Sequence, residues 1–327
     1  MTQEQLQEEV IASQEKINLV IAEIHKKVIG QDNLIKSLLI GLLTKGHILL
    51  EGVPGLAKTL TVDSLSKTLD LGFNRIQFTP DLLPSDLVGT EIFNTKTGEF
   101  SIKLGPVFNN FILADEINRA PSKVQSALLE AMAEKQITIG NNTYKIEEPF
   151  IVLATQNPVE QSGTYKLPEA QLDRFLLKTK VYYPSKEEEI EMYKKISLNN
   201  FKKINKVLNK KDILEIQKIV GQIFVSDSIY KYVFDIIDAS RNPKNYNLEE
   251  LKDLILYGIS PRGGLALISS AKVIAILSGR TFVIPEDIKE IAKQSLSHRI
   301  VLSYEAISKD LTTDDIVEKI IDSVEVV

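Results

Sequence analysis

The chain has 327 residues, of which 43% are hydrophobic and 25% charged, a composition that excludes a disordered or membrane-embedded protein. Its formal charge of −5 gives no global electrostatic reason to bind nucleic acid, and the lack of cysteine excludes disulfides, thiolate metal ligands and a cysteine nucleophile. The three histidines, His25, His47 and His298, are too far apart to show the ligand spacing of a zinc site.

The N-terminal region is predicted to form an amphipathic helix. Apolar residues recur at mostly helical spacing over residues 3–27, and the first ten residues lack the basic and apolar regions of a secretory signal. The longest apolar stretch, residues 34–50, contains two lysines, a histidine and two glycines, so it does not have the pattern of a membrane span. We therefore expect a cytoplasmic protein.

Short apolar runs alternate with helical stretches over residues 46–183, a pattern that predicts buried parallel strands and an α/β fold. After Pro184 the strand-like runs stop and charged amphipathic helices follow. The sequence therefore predicts an α/β domain over residues 1–184, including the leading helix, and an all-helical domain over residues 185–327. The predicted strands are His47–Leu50, Phe73–Phe78, Phe111–Ala114, Phe150–Thr155 and Phe175–Val181.

A phosphate-binding loop is predicted directly after the first strand. Residues 52–59, GVPGLAKT, nearly match the P-loop pattern GxxxxGK[ST], with Ala57 at the position of the last glycine. Small residues let backbone N–H groups wrap phosphates at a helix N-terminus, where Lys58 reaches the β and γ phosphates and the Thr59 hydroxyl suits Mg²⁺. A Gly/Pro turn with a chance lysine is the alternative. The predicted nucleotide-binding residues here are Gly52, Val53, Pro54, Gly55, Leu56, Ala57, Lys58, Thr59 and Leu60.

Two carboxylates follow the third predicted strand. Asp115 and Glu116 come directly after the apolar run Phe111–Ala114. Ligands of open α/β sheets bind at the carboxyl ends of the strands, so we expect Asp115 to hold Mg²⁺, directly or through water, and Glu116 to orient and deprotonate an attacking water. Two surface acids after a core strand are the ordinary alternative, and the P-loop upstream argues against it.

A polar amide follows the fourth predicted strand. Asn157, in the sequence Gln156-Asn157-Pro158, is expected between the first and third strands, near the γ-phosphate. Taken alone, an asparagine before proline is more often an ordinary turn former, and that alternative stays open.

Together these residues resemble the MoxR family of AAA+ ATPases, in which alanine at the position of Ala57 is typical. The matching stretches occur in the family's order and cover most of residues 25–310. The resemblance implies a P-loop AAA+ core, a parallel sheet flanked by helices, with a C-terminal all-helical lid domain. The stretches are GVPGLAKT at 52–59, FTPDLLPSDLVGT at 78–90, LADEINRAPSKVQSALLEAMAEKQITI at 113–139, ATQNPVEQSGTYKLPEAQLDRF at 154–175 and GISPRG at 258–263.

The resemblance also implies roles for three further polar residues. Asn157 is similar to the sensor 1 residue, Arg174 in LDRF to the arginine finger, and Arg262 in SPRG to the sensor 2 arginine. A finger supplies positive charge to the γ-phosphate in the transition state, and in a ring it comes from the neighbouring subunit. The alternatives are a surface Arg174 paired with Asp173 and an Arg262 that caps a helix or pairs with an acid.

Three other segments take their meaning from the resemblance. Ile29 and Gly30, in the sequence VIGQ, resemble the lining of the adenine pocket. Residues 89–104 and 135–149 have the alternating pattern of β-hairpins. They are similar to the helix 2 insert and the pre-sensor 1 hairpin of an AAA+ branch that includes magnesium chelatase subunits, where such hairpins contact substrate. A sheet extension without a partner is the alternative.

The resemblance thus implies Mg²⁺-dependent ATP hydrolysis that drives chaperone-like remodelling or maturation of partner proteins. It implies a homo-oligomeric ring, expected to be a hexamer, and protein clients that include von Willebrand factor A domain proteins. The alternatives are a nucleic-acid-associated motor, against which the net charge argues, and a magnesium-chelatase-like motor subunit. A non-hydrolysing scaffold ranks last because Glu116 and Arg174 are both intact.

Overall fold

The computed structural model describes residues 2–96, 98–157, 163–198 and 202–326, so Pro158 lies outside the described residues. Within these ranges, no helix combines the length and the apolar character that a bilayer span requires. The chain forms two compact units that interleave along the sequence. We call them the core unit, Asn18–Leu167 with Thr179–Leu214, and the lid unit, Met1–Ile17 with Pro168–Lys178 and Glu215–Val327.

The division of the chain at Pro184 stays a prediction, and both compact units have residues on either side of it. In the described ranges the helices are α1 (Gln3–Ile24), α2 (Asp32–Thr44), α3 (Lys58–Thr68), α4 (Pro84–Val88), α5 (Ser122–Glu134), α6 (Glu169–Leu172), α7 (Lys186–Ser197), α8 (Lys210–Gln222), α9 (Asp227–Ala239), α10 (Pro261–Leu277), α11 (Pro285–Leu296), α12 (Tyr304–Ser308) and α13 (Thr313–Ser323). The strands are β1 (Ile48–Glu51), β2 (Phe73–Gln77), β3 (Gly89–Asn94), β4 (Glu99–Leu104), β5 (Phe111–Asp115), β6 (Gln136–Ile139), β7 (Asn142–Lys145), β8 (Ile151–Gln156), β9 (Leu177–Lys180), β10 (Ile255–Tyr257) and β11 (Val301–Leu302).

A five-stranded sheet in the order β2-β5-β8-β1-β9 confirms the predicted α/β core, because each of its strands falls at one of the five predicted apolar runs. Strands β2, β5, β8 and β1 pair in parallel. In β1, β5 and β8 every residue but the last is buried. These last residues, Glu51, Asp115 and Gln156, therefore gather at the carboxyl edge of the sheet, where ligands of such sheets bind.

Both predicted hairpins are confirmed. Strands β3 and β4 pair antiparallel with Phe93 opposite Phe100, and β6 pairs antiparallel with β7 with Ile137 opposite Tyr144. The rings of Phe93 and Phe100 lie 5.1 Å apart between centroids, and both side chains are exposed. The first hairpin therefore presents apolar side chains to solvent.

The lid unit is built mainly from helices α9–α13, as the predicted helical lid requires, but it also contains a short antiparallel ribbon of β10 and β11. The ribbon was not predicted because its strands have three and two residues and no buried alternation that a sequence pattern can show. The N-terminal part of α1 belongs to this unit. There the Gln7 and Gln14 side chains donate to the carbonyl oxygens of Gly279, just beyond α10, and Leu277, its last residue, at 3.0 and 2.8 Å.

Candidate functional site

The phosphate-binding loop has the backbone that its sequence predicts. A Cβ on Gly52 would lie 2.8 Å from the carbonyl oxygen of Val181, so the chain passes there only without a side chain. Gly55 has a φ of 88°, in the left-handed region that favours glycine. Ala57 also has a positive φ, of 55°, and α3 begins at the next residue. This conformation is the reason that glycine is usual at the position of Ala57.

Lys58 spans the loop at the start of α3. Its Nζ donates to the carbonyl oxygen of Gly52 at 2.7 Å. Burial lowers the pKa of Lys58, and the negative charges of Asp115 and Glu116 act in the opposite direction. The ammonium group is therefore fixed across the loop and lies in the field of the two carboxylates that follow β5.

Asp115 is held by its two neighbouring strands. Its Oδ1 accepts from the Thr155 hydroxyl of β8 at 2.6 Å, and its Oδ2 accepts from Nε of Arg75 on β2 at 3.0 Å and also from Nη2 of the same guanidinium. The side chain of Asp115 is 15% exposed and that of Arg75 is 49% exposed. Asp115 is thus largely covered but paired with a cation that reaches it from solvent.

Glu116 has a φ of 56° and caps a short 3₁₀ turn. Its backbone N–H donates to the Thr155 hydroxyl at 2.8 Å, and its Oε2 accepts from Nε2 of Gln77 at the same distance. Arg119 Nε lies 3.0 Å from that oxygen. Thr155 therefore bonds to both acidic residues, and Arg75 and Gln77 of β2 hold one carboxylate each.

These groups surround a cavity of about 450 Å³, which is within the range of small-molecule sites. The structure brings together in its walls nearly all of the predicted phosphate-loop residues, the two acids and Asn157. The lining residues are Gly52, Pro54, Gly55, Leu56, Ala57, Lys58, Thr59, Leu60, Arg75, Gln77, Asp115, Glu116, Thr155 and Asn157. Of the loop residues predicted, Val53 is not among them.

A second cavity of about 220 Å³ shares the loop residues Pro54, Gly55, Leu56, Ala57 and Leu60 with the first. Its other walls are mainly apolar, and they include the predicted Ile29. Gly30 does not line the cavity: its φ is 64°, and a Cβ there would lie 2.5 Å from Oε1 of Glu188. The two cavities share a loop, and they match the two halves of a nucleotide: the mainly apolar cavity suits the base, and the cavity with charged walls suits the phosphates. Its remaining lining residues are Lys27, Val28, Gln31, Tyr183, Pro184, Glu189, Met192 and Ile196.

Comparison with known proteins agrees with this geometry. Residues 47–177 match the model of the ATPase family associated with various cellular activities, and residues 250–320 match the AAA lid domain. The chain is 44% identical to Chaperone MoxR1 of Mycobacterium tuberculosis over 304 residues, which are 93% of this chain and 80% of the relative. The chain belongs to the MoxR family of AAA+ ATPases.

Two other similarities extend over nearly the whole length of this MoxR-family chain. The uncharacterized protein YeaC of Bacillus subtilis is 43% identical over 310 residues, 94% of this chain and 93% of that protein. The crystal structure of a candidate ATPase from Cytophaga hutchinsonii superimposes with a TM-score of 0.93 at 53% sequence identity, covering 98% of this chain and 97% of that one. The AAA+ fold with its lid is therefore confirmed.

The two arginines predicted to act on phosphate belong to the lid unit. Arg174 is exposed and lies two residues after the end of the short helix α6. Arg262 lies in the first turn of α10, and its Nη1 is 3.9 Å from Oδ2 of Asp173. Asp173 also accepts from the Ser260 hydroxyl and forms an ion pair with Arg299. The acidic neighbour of Arg174 thus has partners that the sequence did not suggest.

Sequence reasoning about this MoxR-family protein missed Arg75, Gln77 and Thr155. Arg75 and Gln77 are two residues apart on β2, so their side chains point to the same face. This spacing was visible in the sequence, but the sequence did not show which residues the two side chains would bind. Thr155 belongs to the quoted stretch ATQNP and is 1% exposed. Its position one residue before Gln156, at the end of the buried strand β8, was the available signal.

Proposed function

We propose that this protein hydrolyses ATP with Mg²⁺ and uses the reaction to remodel or mature client proteins. The proposal depends on one observation: a cavity lined by charged side chains and a second, mainly apolar cavity share residues of the loop 52–60, and two carboxylates line the first. The backbone N–H groups of that loop and the Lys58 ammonium are suited to bind the phosphates, and Ile29 with its apolar neighbours is suited to bind the base.

The donor set fits Mg²⁺. No group of three or more acidic or histidine side chains that could hold a metal occurs among the residues that the structure describes, but Mg²⁺ is usually held by one or two protein oxygens together with waters and substrate phosphates. The Thr59 hydroxyl and the Asp115 carboxylate line the same cavity and supply such oxygens. When bound, Mg²⁺ would neutralise charge on the phosphates. Asp115 shares its Oδ2 with Arg75, so the guanidinium must give up or share that oxygen.

Glu116 is the proposed general base. Its carboxylate lines the cavity with charged walls, where it is suited to orient a water molecule and take its proton. Gln77 and Arg119 bond to its Oε2, which leaves the second oxygen as the atom that accepts the proton. Asn157, from the end of the neighbouring strand, is proposed to orient the γ-phosphate or the water.

Arg174 and Arg262 are proposed to stabilise the charge that develops on the transferred phosphoryl group, Arg174 from a neighbouring subunit of a ring. A hexamer, clients with von Willebrand factor A domains and a cytoplasmic location remain proposals. The Mycobacterium tuberculosis relative is named as a chaperone, which supports the remodelling function.

The deciding experiment compares the wild type with Glu116→Gln, which keeps the shape of the side chain but removes the base. We expect ATP affinity within about twofold of the wild type and phosphate release lowered on the order of a hundredfold or more. Calorimetry with ATP and a phosphate-release assay measure the two quantities. Wild-type phosphate release by Glu116→Gln would show that another group activates the water.

A further inference from the structure

The lid unit fixes the backbone on both sides of Arg174. Nη1 of Arg299 donates to the carbonyl oxygen of Asp173 at 2.8 Å, and Nη2 donates to the carbonyl oxygen of Phe175 at 2.6 Å. These carbonyls belong to the residues directly before and after Arg174. A single guanidinium therefore bridges the residue that we propose as the arginine finger. We call this arrangement the Arg299 fork.

The Arg299 fork is buried and further supported. The Arg299 side chain is only 3% exposed, its Nε donates to the carbonyl oxygen of Ser295 at 2.8 Å, and it forms an ion pair with the Asp173 carboxylate. Nε2 of His298 adds a second hydrogen bond to the carbonyl oxygen of Phe175, at 3.1 Å. Charge-assisted hydrogen bonds away from water are strong and directional, so this segment has little freedom to move against the helices of the lid unit.

Arg174 itself is exposed, whereas Phe175 is fully buried and Asp173 is mostly covered. The exposed Arg174 side chain therefore starts from a backbone that is already ordered. A group presented in this way loses less conformational entropy when it engages a phosphate than the same group on a loose loop.

The same cluster includes the start of α10. The Ser260 hydroxyl donates to the Asp173 carboxylate at 3.0 Å and accepts from the N–H of Arg262 at 3.2 Å. Arg262 is the outermost member, because its side chain is 58% exposed and 3.9 Å from Asp173. If Arg262 moves toward a phosphate, Asp173 keeps its bonds to Arg299 and Ser260, so the fork does not depend on Arg262.

We propose that Arg299 is a positioning residue that holds the backbone of Arg174 so that its guanidinium reaches the nucleotide of the neighbouring subunit. The inference rests on the proposed finger role of Arg174. It requires the planar fork and not merely a positive charge, because a lysine carries its donors on one nitrogen, whereas Arg299 reaches the carbonyls on either side of Arg174 from two separate nitrogens held in one plane.

The test uses Arg299→Lys, with Arg280→Lys as the matched control in the same unit. Arg280 also forms a fork, but onto the Asp287 carboxylate, with bonds of 2.9 and 2.6 Å. We expect Arg299→Lys to bind ATP within about twofold of the wild type and to lower turnover at least about tenfold, since positioning acts on the transition state. Arg280→Lys should keep both quantities within about twofold.

Mixed rings separate positioning from general damage. Arg299→Lys subunits retain their own pocket, and Glu116→Gln subunits retain a fully held Arg174, so mixing them should raise turnover above that of either variant alone. Arg174→Ala mixed with Glu116→Gln should behave in the same way. The inference is overturned if Arg299→Lys keeps wild-type turnover or if it loses ATP affinity together with turnover. It is also overturned if mixing with Glu116→Gln subunits restores turnover to Arg174→Ala but not to Arg299→Lys.

Native mass spectrometry shows whether mixed rings of Arg174→Ala and Glu116→Gln form. If they form and Arg174→Ala regains no activity, the shared-site proposal is overturned, and this inference with it.

Should circular dichroism show that Arg299→Lys does not fold, Asp173→Asn is the variant that decides. That variant loses the ion pair but keeps both carbonyl bonds, so a loss of turnover of about twofold to fivefold, rescued in mixed rings, supports the inference. Unchanged turnover, or a loss that mixing does not rescue, contradicts it.

Discussion

Two arginine–aspartate pairs, one in each compact unit, hold their acidic residues in different ways. In the core unit Arg75 reaches Asp115 with 49% of its side chain exposed. In the lid unit the side chain of Arg299, which binds Asp173, is only 3% exposed. Exposed pairs are screened and contribute little to stability, whereas a buried charge that loses its partner is costly. The first pair is suited to exchange its partner and the second to keep it.

This difference follows the proposed work of each region. In the proposed function Asp115 binds a metal ion in place of, or beside, the Arg75 guanidinium, and an exposed partner can leave or shift to allow this. The segment around Arg174 has to keep its shape, and its partners are buried. The predictions below test whether the two regions divide the chemistry in this way, from the largest expected effect to the smallest.

The largest contrast is expected between two variants that each remove one positive charge, Lys58→Ala in the core unit and Arg174→Ala in the lid unit. Lys58→Ala should abolish measurable ATP binding, which means an affinity lowered at least about a hundredfold. The reason is that the proposed contact of the ammonium with the phosphates is already made in the ground state. Arg174→Ala should bind ATP within about twofold of the wild type and hydrolyse it poorly, since a finger acts mainly in the transition state. Calorimetry and phosphate release measure both. Near-normal affinity of Lys58→Ala would remove that lysine from the site.

Loss of the arginine should lower the free energy of unfolding more for the Arg299–Asp173 pair than for the Arg75–Asp115 pair. Arg299→Met is expected to lower the free energy of unfolding by about 3–5 kcal/mol, because it leaves the carbonyl oxygens of Ser295, Asp173 and Phe175 without the guanidinium that donates to them inside the unit. Arg75→Met should change it by no more than about 1 kcal/mol, since the Arg75 side chain is 49% exposed and Asp115 keeps its hydrogen bond from Thr155. Chemical denaturation of both variants gives the comparison. Equal losses would contradict the distinction between an exchangeable and a fixed pair.

Acid should weaken both units for a shared reason. Burial lowers the pKa of His47 in the core unit from its ordinary 6.5 to about 4, and burial with the nearby Arg299 charge lowers that of His298 in the lid unit to about 3. Below pH 6.5 the unfolded chain binds protons that the folded chain does not, so stability present above that pH is lost as pH falls toward these values.

Denaturation midpoints measured from pH 7 to pH 4.5 test this expectation. His47 accepts from the N–H of Val152 and donates to the carbonyl oxygen of Met132, so His47→Gln keeps polar groups there without titrating. The variant should be less stable than the wild type at pH 7 but show a shallower decline with acid. An unchanged decline would mean that carboxylates alone set the acid limit.

The smallest effect concerns the metal. If Arg75 competes with Mg²⁺ for Asp115, Arg75→Met should lower the Mg²⁺ concentration needed for half-maximal ATP binding several-fold. Titration of Mg²⁺ at fixed ATP, followed by the fluorescence of a labelled nucleotide, measures it without turnover. A higher Mg²⁺ requirement would show instead that Arg75 holds Asp115 in the geometry that binds the metal.

Much of the fold was predictable from the sequence because apolar runs such as Phe111–Ala114 are bounded by polar residues that stop each strand. Lys58, Asp115, Glu116 and Asn157 were correctly expected to converge, since parallel strands end at one edge of the sheet. Their roles remain predictions.

Side-chain partners between distant segments were not predictable. Arg75 and Arg299 are ordinary arginines in the sequence, and only the packing of β2 beside β5, and of the short turn at residues 297–299 against residues 173–175, gives them their carboxylates. The ribbon of β10 and β11 was missed for a similar reason, because its pairing depends on residues far along the chain.

The interleaved course of the chain also determines when each unit can be completed during synthesis. Gln7 and Gln14 in α1 bond to carbonyls 272 and 263 residues later. The ribosome must therefore release almost the whole polypeptide before the first helix of the lid unit meets its partners. The core unit ends at Leu214 and can form earlier. Nascent chains stalled after Leu214 has left the ribosomal exit tunnel should protect the nucleotide loop from protease while the N-terminal residues are still cleaved.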